Sequence, residues 1–370
     1  MVNEAIHSGS TTHSSAAISQ PPSHTTVKFP NLVDLDIIGS GKIKLEEIEF
    51  GRDCSNCQLR SLAMSCYNQI QFSCEWQLRL YNLQSLTLTH YYWWLELKFQ
   101  CFKRLKVLEI IEPGCSILFS FSAFESLHQL ERLEISSCDL LEEIVEDVRC
   151  EEPSGNYKKT VTFFHLYSVT LKDLPNLKKN FHGANYECHM PALVAVYVHN
   201  CGIPTLYTCS VITTMQKLDI LSVKNCTLLE DIVEDARDDE TSDTNDKIIT
   251  LPRLTRVYLE DLPIVKSFST TSSYSFNMPE LHEFHLQMCP QIEKFTSLKT
   301  SNGTVRVHSD WHPYTYQKDL NDYITKMRKA EDKRLGKRAG ESSYSNKKLG
   351  TEAERVGEEK PQETEENDQQ

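Results

Sequence analysis

The pattern L-x-x-φ-x-φ, in which φ is an apolar side chain, recurs ten times and constrains this chain more than any other feature. Its first leucines are Leu32, Leu59, Leu83, Leu105, Leu130, Leu166, Leu193, Leu218, Leu254 and Leu281. They are spaced 22 to 27 residues apart, except for two gaps of 36. All twenty positions three and five residues after a leucine are apolar, from Leu35 and Ile37 to Phe284 and Leu286. Of the thirty positions two, four and six residues after it, only eight are apolar or aromatic. Such period-two alternation specifies a strand with one buried face. A unit of about 25 residues cannot enclose a core alone, so consecutive units must stack and share one.

Short strands repeating at this interval are the leucine-rich-repeat signature. The expected fold is therefore an α/β solenoid, a horseshoe with a parallel sheet on its concave face. A longer repeat is superimposed: Leu130, Leu166 and Leu193 recur at Leu218, Leu254 and Leu281, each 88 positions later with no gap. LERLEISSCDLLEEIVED from Leu130 aligns with LDILSVKNCTLLEDIVED from Leu218, which marks a duplicated three-repeat block. The spacing of Leu140, Leu141, Ile144 and Val145, and of Leu228, Leu229, Ile232 and Val233, suggests a short helix or turn on the convex side. The insertions RCEEPSGNYKKT and RDDETSDTNDK are polar and read as surface loops.

Composition divides the rest. Residues 1–28, rich in Ser, Thr and His, read as a disordered segment, 29–298 as the repeat domain, 299–335 as a post-repeat segment, and 336–370 as a disordered charged tail. Within the post-repeat segment, Leu320, Tyr323, Ile324 and Met327 share one face of an amphipathic helix expected over 316–335. The formal net charge of −13 argues against phosphate recognition by the whole surface, so no nucleic-acid partner is expected. No apolar run of about 18 residues suggests membrane insertion. No secretory signal is visible, which with thirteen cysteines favours reduced thiols in the cytoplasm. Lys333-Arg334, Lys337-Arg338 and Lys347-Lys348 form a weak candidate nuclear-import stretch.

Chemical motifs are sparse. Cys138, Cys201, Cys226 and Cys289 each lie eight residues after a repeat leucine, where a small side chain packs inward. Cys54, Cys57, Cys66 and Cys74 lack the second tight C-x-x-C of a convincing zinc site. Glu142, Glu143, Glu146 and Asp147, with their duplicates Glu230, Asp231, Glu234 and Asp235, match no calcium loop and read as a solvated face. The sequons at Asn225 and Asn302 read as chance matches in a chain without a signal peptide. Phosphate-loop, dinucleotide and nucleophile-elbow motifs are absent, so no cofactor and no catalytic residues are expected.

What remains is a surface. The outward strand positions carry small side chains in the early repeats, Ser61, Ala63 and Ser65 for instance. Later repeats carry Tyr197, His199, Lys224, Arg256, Tyr258, Glu260, Glu283 and His285. Tyrosine and arginine offer large contact area with a polar tip, as protein-binding hot spots require. These eight residues are the candidate protein-binding site on the concave face.

The alternation of C-x-x-L-E-E-I-V-E-D with F-x-x-L-x-x-V-x-L-x-D-L-P-x-L resembles the leucine-rich-repeat region of plant coiled-coil NB-LRR disease-resistance proteins. Asp310-Trp311 followed by Lys318-Asp319-Leu320-Asn321-Asp322-Tyr323-Ile324 is similar to the W…D-L-N element that follows those repeats. The resemblance spans about residues 29–328. It implies a non-enzymatic sensor or regulatory module of an intracellular immune receptor. The partners it implies are a pathogen effector, a guarded host protein or the receptor's nucleotide-switch domain. That switch domain has no counterpart in this sequence, which carries no phosphate loop. The alternative is a stand-alone adaptor, such as the substrate-recognition subunit of a ubiquitin ligase, against which the lack of an F-box-like segment before Phe29 counts.

Overall fold

The computed structural model describes residues 15–17, 27–28, 32–39, 48–49, 58–66, 80–90, 99–147, 158–234, 247–269, 274–295, 304–311 and 314–333. Its framework is a single 13-stranded sheet in chain order. The strands are Ser15–Ala17 (β1), Asp34–Gly39 (β2), Ser61–Cys66 (β3), Ser85–Thr89 (β4), Val107–Ile111 (β5), Arg132–Ser136 (β6) and Ser168–Leu174 (β7). They continue with Ala195–Cys201 (β8), Ile220–Lys224 (β9), Arg256–Glu260 (β10), Glu283–Gln287 (β11), Val305–Ser309 (β12) and Thr315–Gln317 (β13). All neighbours are parallel except β12 and β13, which close the sheet antiparallel. β2 to β11 are the ten repeat strands. β1 falls inside the segment whose composition suggested disorder, and β12 extends the stack beyond the boundary expected at 298.

Alternation sets which face is buried. Each of the twenty inward side chains, from Leu35 to Leu286, is at most 2% exposed. The strands stay in register throughout, so Ser61, Ser85, Val107, Arg132, Ser168, Ala195, Ile220, Arg256, Glu283 and Arg306 lie side by side in one row. A one-residue slip anywhere would turn a strand's apolar set to solvent, which is why the register holds.

The chain turns at the ends of β4 to β11 by the same manoeuvre. His90, Glu112, Ser137, Asp173, Asn200, Asn225, Asp261 and Met288 all have φ between 49° and 59°. Each stands seven residues after its repeat leucine. The left-handed residue turns the chain while its N–H still reaches the next strand: Glu112 donates to the Ser136 carbonyl and Asn225 to that of Glu260, both at 2.9 Å.

Behind the sheet, a second layer differs from the helix or turn expected there. Glu143–Val145 pairs with Ile117–Phe119, and Asp231–Glu234 pairs with Thr205–Thr208, both in parallel. Leu140 and Leu228 are 61% and 55% exposed, whereas Leu141, Ile144 and Val145 and their duplicates are buried, so no helical face forms. The adjacent β-branched Ile-Val pair favours extended backbone, and Glu142 and Glu146 donate to the Ser116 and Phe119 carbonyls of the preceding repeat. Lys159–Thr162 with Tyr186–His189, and Lys247–Thr250 with Tyr274–Asn277, repeat the arrangement. Each insertion therefore ends in a strand, while residues 149–157 and 237–246 lie outside the described residues. Between the layers runs a phenylalanine stack, with Phe99 to Phe119 at 5.1 Å, Phe119 to Phe124 at 5.6 Å and Phe124 to Phe163 at 4.8 Å.

The W…D-L-N element finishes the last repeats. The Asp310 carboxylate accepts from the Met288 N–H, and Asn321 Oδ1 accepts from the Phe295 N–H at 2.7 Å. Contacts divide the chain into two compact units, Met1–Asn321 and Asp322–Gln370. A helix runs over 320–333, starting later than the sequence suggested because Thr315–Gln317 is a strand. Leu320, Tyr323 and Ile324 are buried and Met327 is half-buried, as the helical spacing requires. No helix among the described residues is long and apolar enough to cross a membrane.

Candidate protein-recognition surface

Positions two, four and six of each repeat project from the outer face of the sheet, and fixed register turns them into rows. The fourth-position row reads Thr170, Tyr197, Ser222, Tyr258, His285 and His308 on strands β7 to β12. From Tyr258 onward these rings touch. Tyr258 to His285 is 4.5 Å between centroids, His285 to His308 is 5.0 Å, and His308 to Tyr314 is 5.0 Å. Tyr197 stands apart from them, 39% exposed, because its neighbour in the row is Ser222.

The charged members of the set are held by ion pairs across strands. Lys224 on β9 bonds Glu260 on β10 at 2.6 Å, and Arg256 bonds Asp219 at 3.1 Å. Thr255 donates to the same Asp219 carboxylate, which steadies it. Glu283 is bonded by His285 at 2.8 Å and by Arg306 of β12 at 2.8 Å. The hydrogen bond from His285 and then the Arg306 guanidinium hold the Glu283 carboxyl below its ordinary range. His199 pairs through Nε2 with the Asn225 side chain at 3.0 Å, and its Nδ1 lies 3.8 Å from Asp173.

All eight residues singled out from the sequence thus lie on one face of four successive strands, β8 to β11. Tyr197, His199, Ser222, Lys224, Arg256 and Tyr258 line a depression of about 440 Å³ in that face. Arg306, His308 and Tyr314 continue the face, and sequence reasoning missed them because the repeat leucine fails before β12. The V-x-V alternation of Val305 and Val307 was their only signal.

The other candidates take structural roles. Cys138 donates to the Pro113 carbonyl at 2.6 Å, while Cys201, Cys226 and Cys289 donate to the carbonyls of His199, Lys224 and Gln287 at 3.2 to 3.4 Å. Burial pushes the thiol of Cys226 up to about 11 and that of Cys289 to about 12, and also raises Cys201 and Cys138. Protonated at neutral pH, these are poor nucleophiles and poor metal ligands. Cys54, Cys57 and Cys74 lie outside the described residues. Among the described residues no group of three or more His, Cys, Asp or Glu is arranged to hold a metal ion.

The acidic segment is stitched to the next repeat rather than merely solvated. Lys178 bonds Glu142 at 2.9 Å, and Lys179 bonds Glu143 at 3.0 Å and Asp147 at 3.6 Å. In the duplicate, Lys266 and Ser267 replace that lysine pair, and Asp235 lies outside the described residues. The sequon residue Asn225 is one of the left-handed turn residues and bonds His199. Lys337, Arg338, Lys347 and Lys348 lie outside the described residues, as does Asn302.

Fold and face together define a leucine-rich-repeat solenoid, a scaffold that presents an open sheet for contact with other proteins. The chain matches the family described as plant disease resistance protein RPS2-like, leucine-rich repeats, over residues 76–211 and 203–306. These segments cover more than half of its 370 residues, and the chain belongs to that family. No curated protein matches it.

Proposed function

We propose that this chain is a non-enzymatic recognition module that works as the sensor or regulatory repeat region of a cytoplasmic plant immune receptor. The observation that carries the reading is the clustering of Tyr197, Arg256 and Tyr258 around one depression of the sheet, within repeats of a disease-resistance family. Tyrosine and arginine dominate binding hot spots because they desolvate large area and keep a polar anchor. Family membership favours a pathogen effector, a guarded host protein or the nucleotide-switch domain of the receptor as the partner. β3 and β4 carry only short outward side chains, which offer a partner little contact area.

The test is capture of purified nucleotide-switch domains and candidate effectors by the full chain. Joint replacement of Tyr197, Arg256 and Tyr258 by alanine should weaken capture by roughly tenfold or more, the size expected for hot-spot truncation. Undiminished capture by the triple variant would move the interface elsewhere. Recovery of ubiquitin-ligase components with no switch domain or effector would favour the adaptor reading.

A further inference from the structure

The fourth-position row of the sheet is an aromatic ladder with one vacant rung. Tyr258, His285, His308 and Tyr314 follow one another at 4.5 to 5.0 Å, the spacing of rings in contact. Tyr197 belongs to the same row, yet the residue between it and Tyr258 is Ser222, 8% exposed at the floor of the depression. Neighbouring strands lie about 4.8 Å apart, so the backbones under Tyr197 and Tyr258 are separated by about 9.6 Å. That distance is two ladder steps and leaves room for one flat ring standing between two tyrosines.

The ends of the gap differ from its walls. Lys224, on the strand under the gap, marks one end and Arg256, on the next strand, marks the other. Both carry several N–H donors, enough for a guest carboxylate to accept from. Each is already ion-paired with one carboxylate of its own face, Glu260 and Asp219, so a guest carboxylate shares its cation with that residue. Resting on the recognition face argued above, we propose that this gap receives an aromatic side chain of a partner protein, flanked in the partner by acidic residues. The inserted ring stacks between Tyr197 and Tyr258 and completes the ladder, while its carboxylate neighbours share Lys224 and Arg256.

The probe is a blocked Asp-Glu-Trp-Asp-Glu peptide carrying 5-fluorotryptophan, followed by fluorine NMR against the full chain. Its resonance should broaden saturably with the wild type and with Ser222→Ala, which leaves the gap open. Broadening should vanish with Ser222→Tyr, which fills the rung from within, in a protein whose circular dichroism and melting temperature are preserved. Tyr197→Ala combined with Tyr258→Ala removes the walls and should abolish broadening even if the tyrosine at 222 is not tolerated. The same peptide with alanine for tryptophan should fail to compete, and a version flanked by lysines should bind about tenfold more weakly. Equal binding by Ser222→Tyr, equal competition by the alanine peptide, or preferential displacement by a thymidine hexamer would overturn the proposal. If Ser222→Tyr captures the partner normally while the triple alanine variant does not, the face stands and the slot falls. If the triple variant also captures normally, the face itself is wrong.

Discussion

The eight left-handed residues at or near the ends of β4 to β11 are chemically diverse, and their tolerance of that backbone differs accordingly. Asparagine and aspartate visit the region readily because their short polar groups bond locally. Asn200 is held in addition from the preceding repeat, donating to the Asp173 carboxylate at 2.9 Å. Met288 has no polar side chain to do this, and although its N–H donates to the Asp310 carboxylate, the residue is 54% exposed and little side-chain packing holds it there. Met288→Gly should therefore raise stability by about 0.5–1 kcal/mol, while Asn200→Gly should be neutral or worse. Urea unfolding of both variants checks this, and equal effects would show that backbone strain is not what separates the two sites. Gly202 is constrained from outside: a Cβ there would lie 1.9 Å from the Pro175 carbonyl oxygen. Gly202→Ala should cost about 1–3 kcal/mol through a forced backbone shift, and an unchanged denaturation midpoint would disprove the close approach. The four Asn and Asp members of this set carried a turn signal in the sequence. Glu112 and Met288 did not, because there the preceding strand and not the residue type fixes the turn.

At the scale of elements, the inner face was fully legible and the second layer was not. Strict alternation leaves one solution for β2 to β11, whereas a run such as Leu-Leu-Glu-Glu-Ile-Val satisfies helical spacing and extended pairing alike. Tertiary context decided it, since Ser116 and Phe119 offer carbonyls that only an extended neighbour can use. The candidate site was legible where repeat register exposed it, and it stopped being so at β12, where no leucine announces the strand. The Glu283–Arg306 pair joins β11 to β12 across that seam. Because Glu283 is held below its ordinary carboxyl range, its contribution is complete above about pH 4.3 and is lost as pH falls through the depressed value. The melting temperature of the wild type should exceed that of Glu283→Gln at about pH 6, and the difference should shrink as pH falls below about 4.3. A difference that stays constant with pH would mean that the Glu283 carboxylate charge, held by His285 and Arg306, does not stabilise this end of the sheet.

On the scale of the whole molecule, a solenoid couples each repeat mainly to its neighbours, so its stability is close to a sum of local interfaces. The duplication at an offset of 88 residues makes that property testable, because β6, β7 and β8 have counterparts in β9, β10 and β11. Deleting 166–253 would bring Leu254 directly after His165, and β10 would then pair with β6 as its duplicate β7 does now. The inward Val257 and Leu259 replace Val169 and Leu171, and all four are fully or almost fully buried in their present places. Lys266 takes the place of Lys178 opposite Glu142, while the ion pairs of Lys179 are lost because Ser267 follows. The shortened chain should fold with a strand-rich circular dichroism spectrum and one cooperative transition. Its urea m-value should fall in proportion to the surface removed. Deleting eight residues fewer, from 174 to 253, leaves two strand sequences in tandem with no return segment between them, and that chain should aggregate or unfold. If the full-block deletion fails equally, the repeats are not interchangeable neighbours and distant parts of the stack must specify one another.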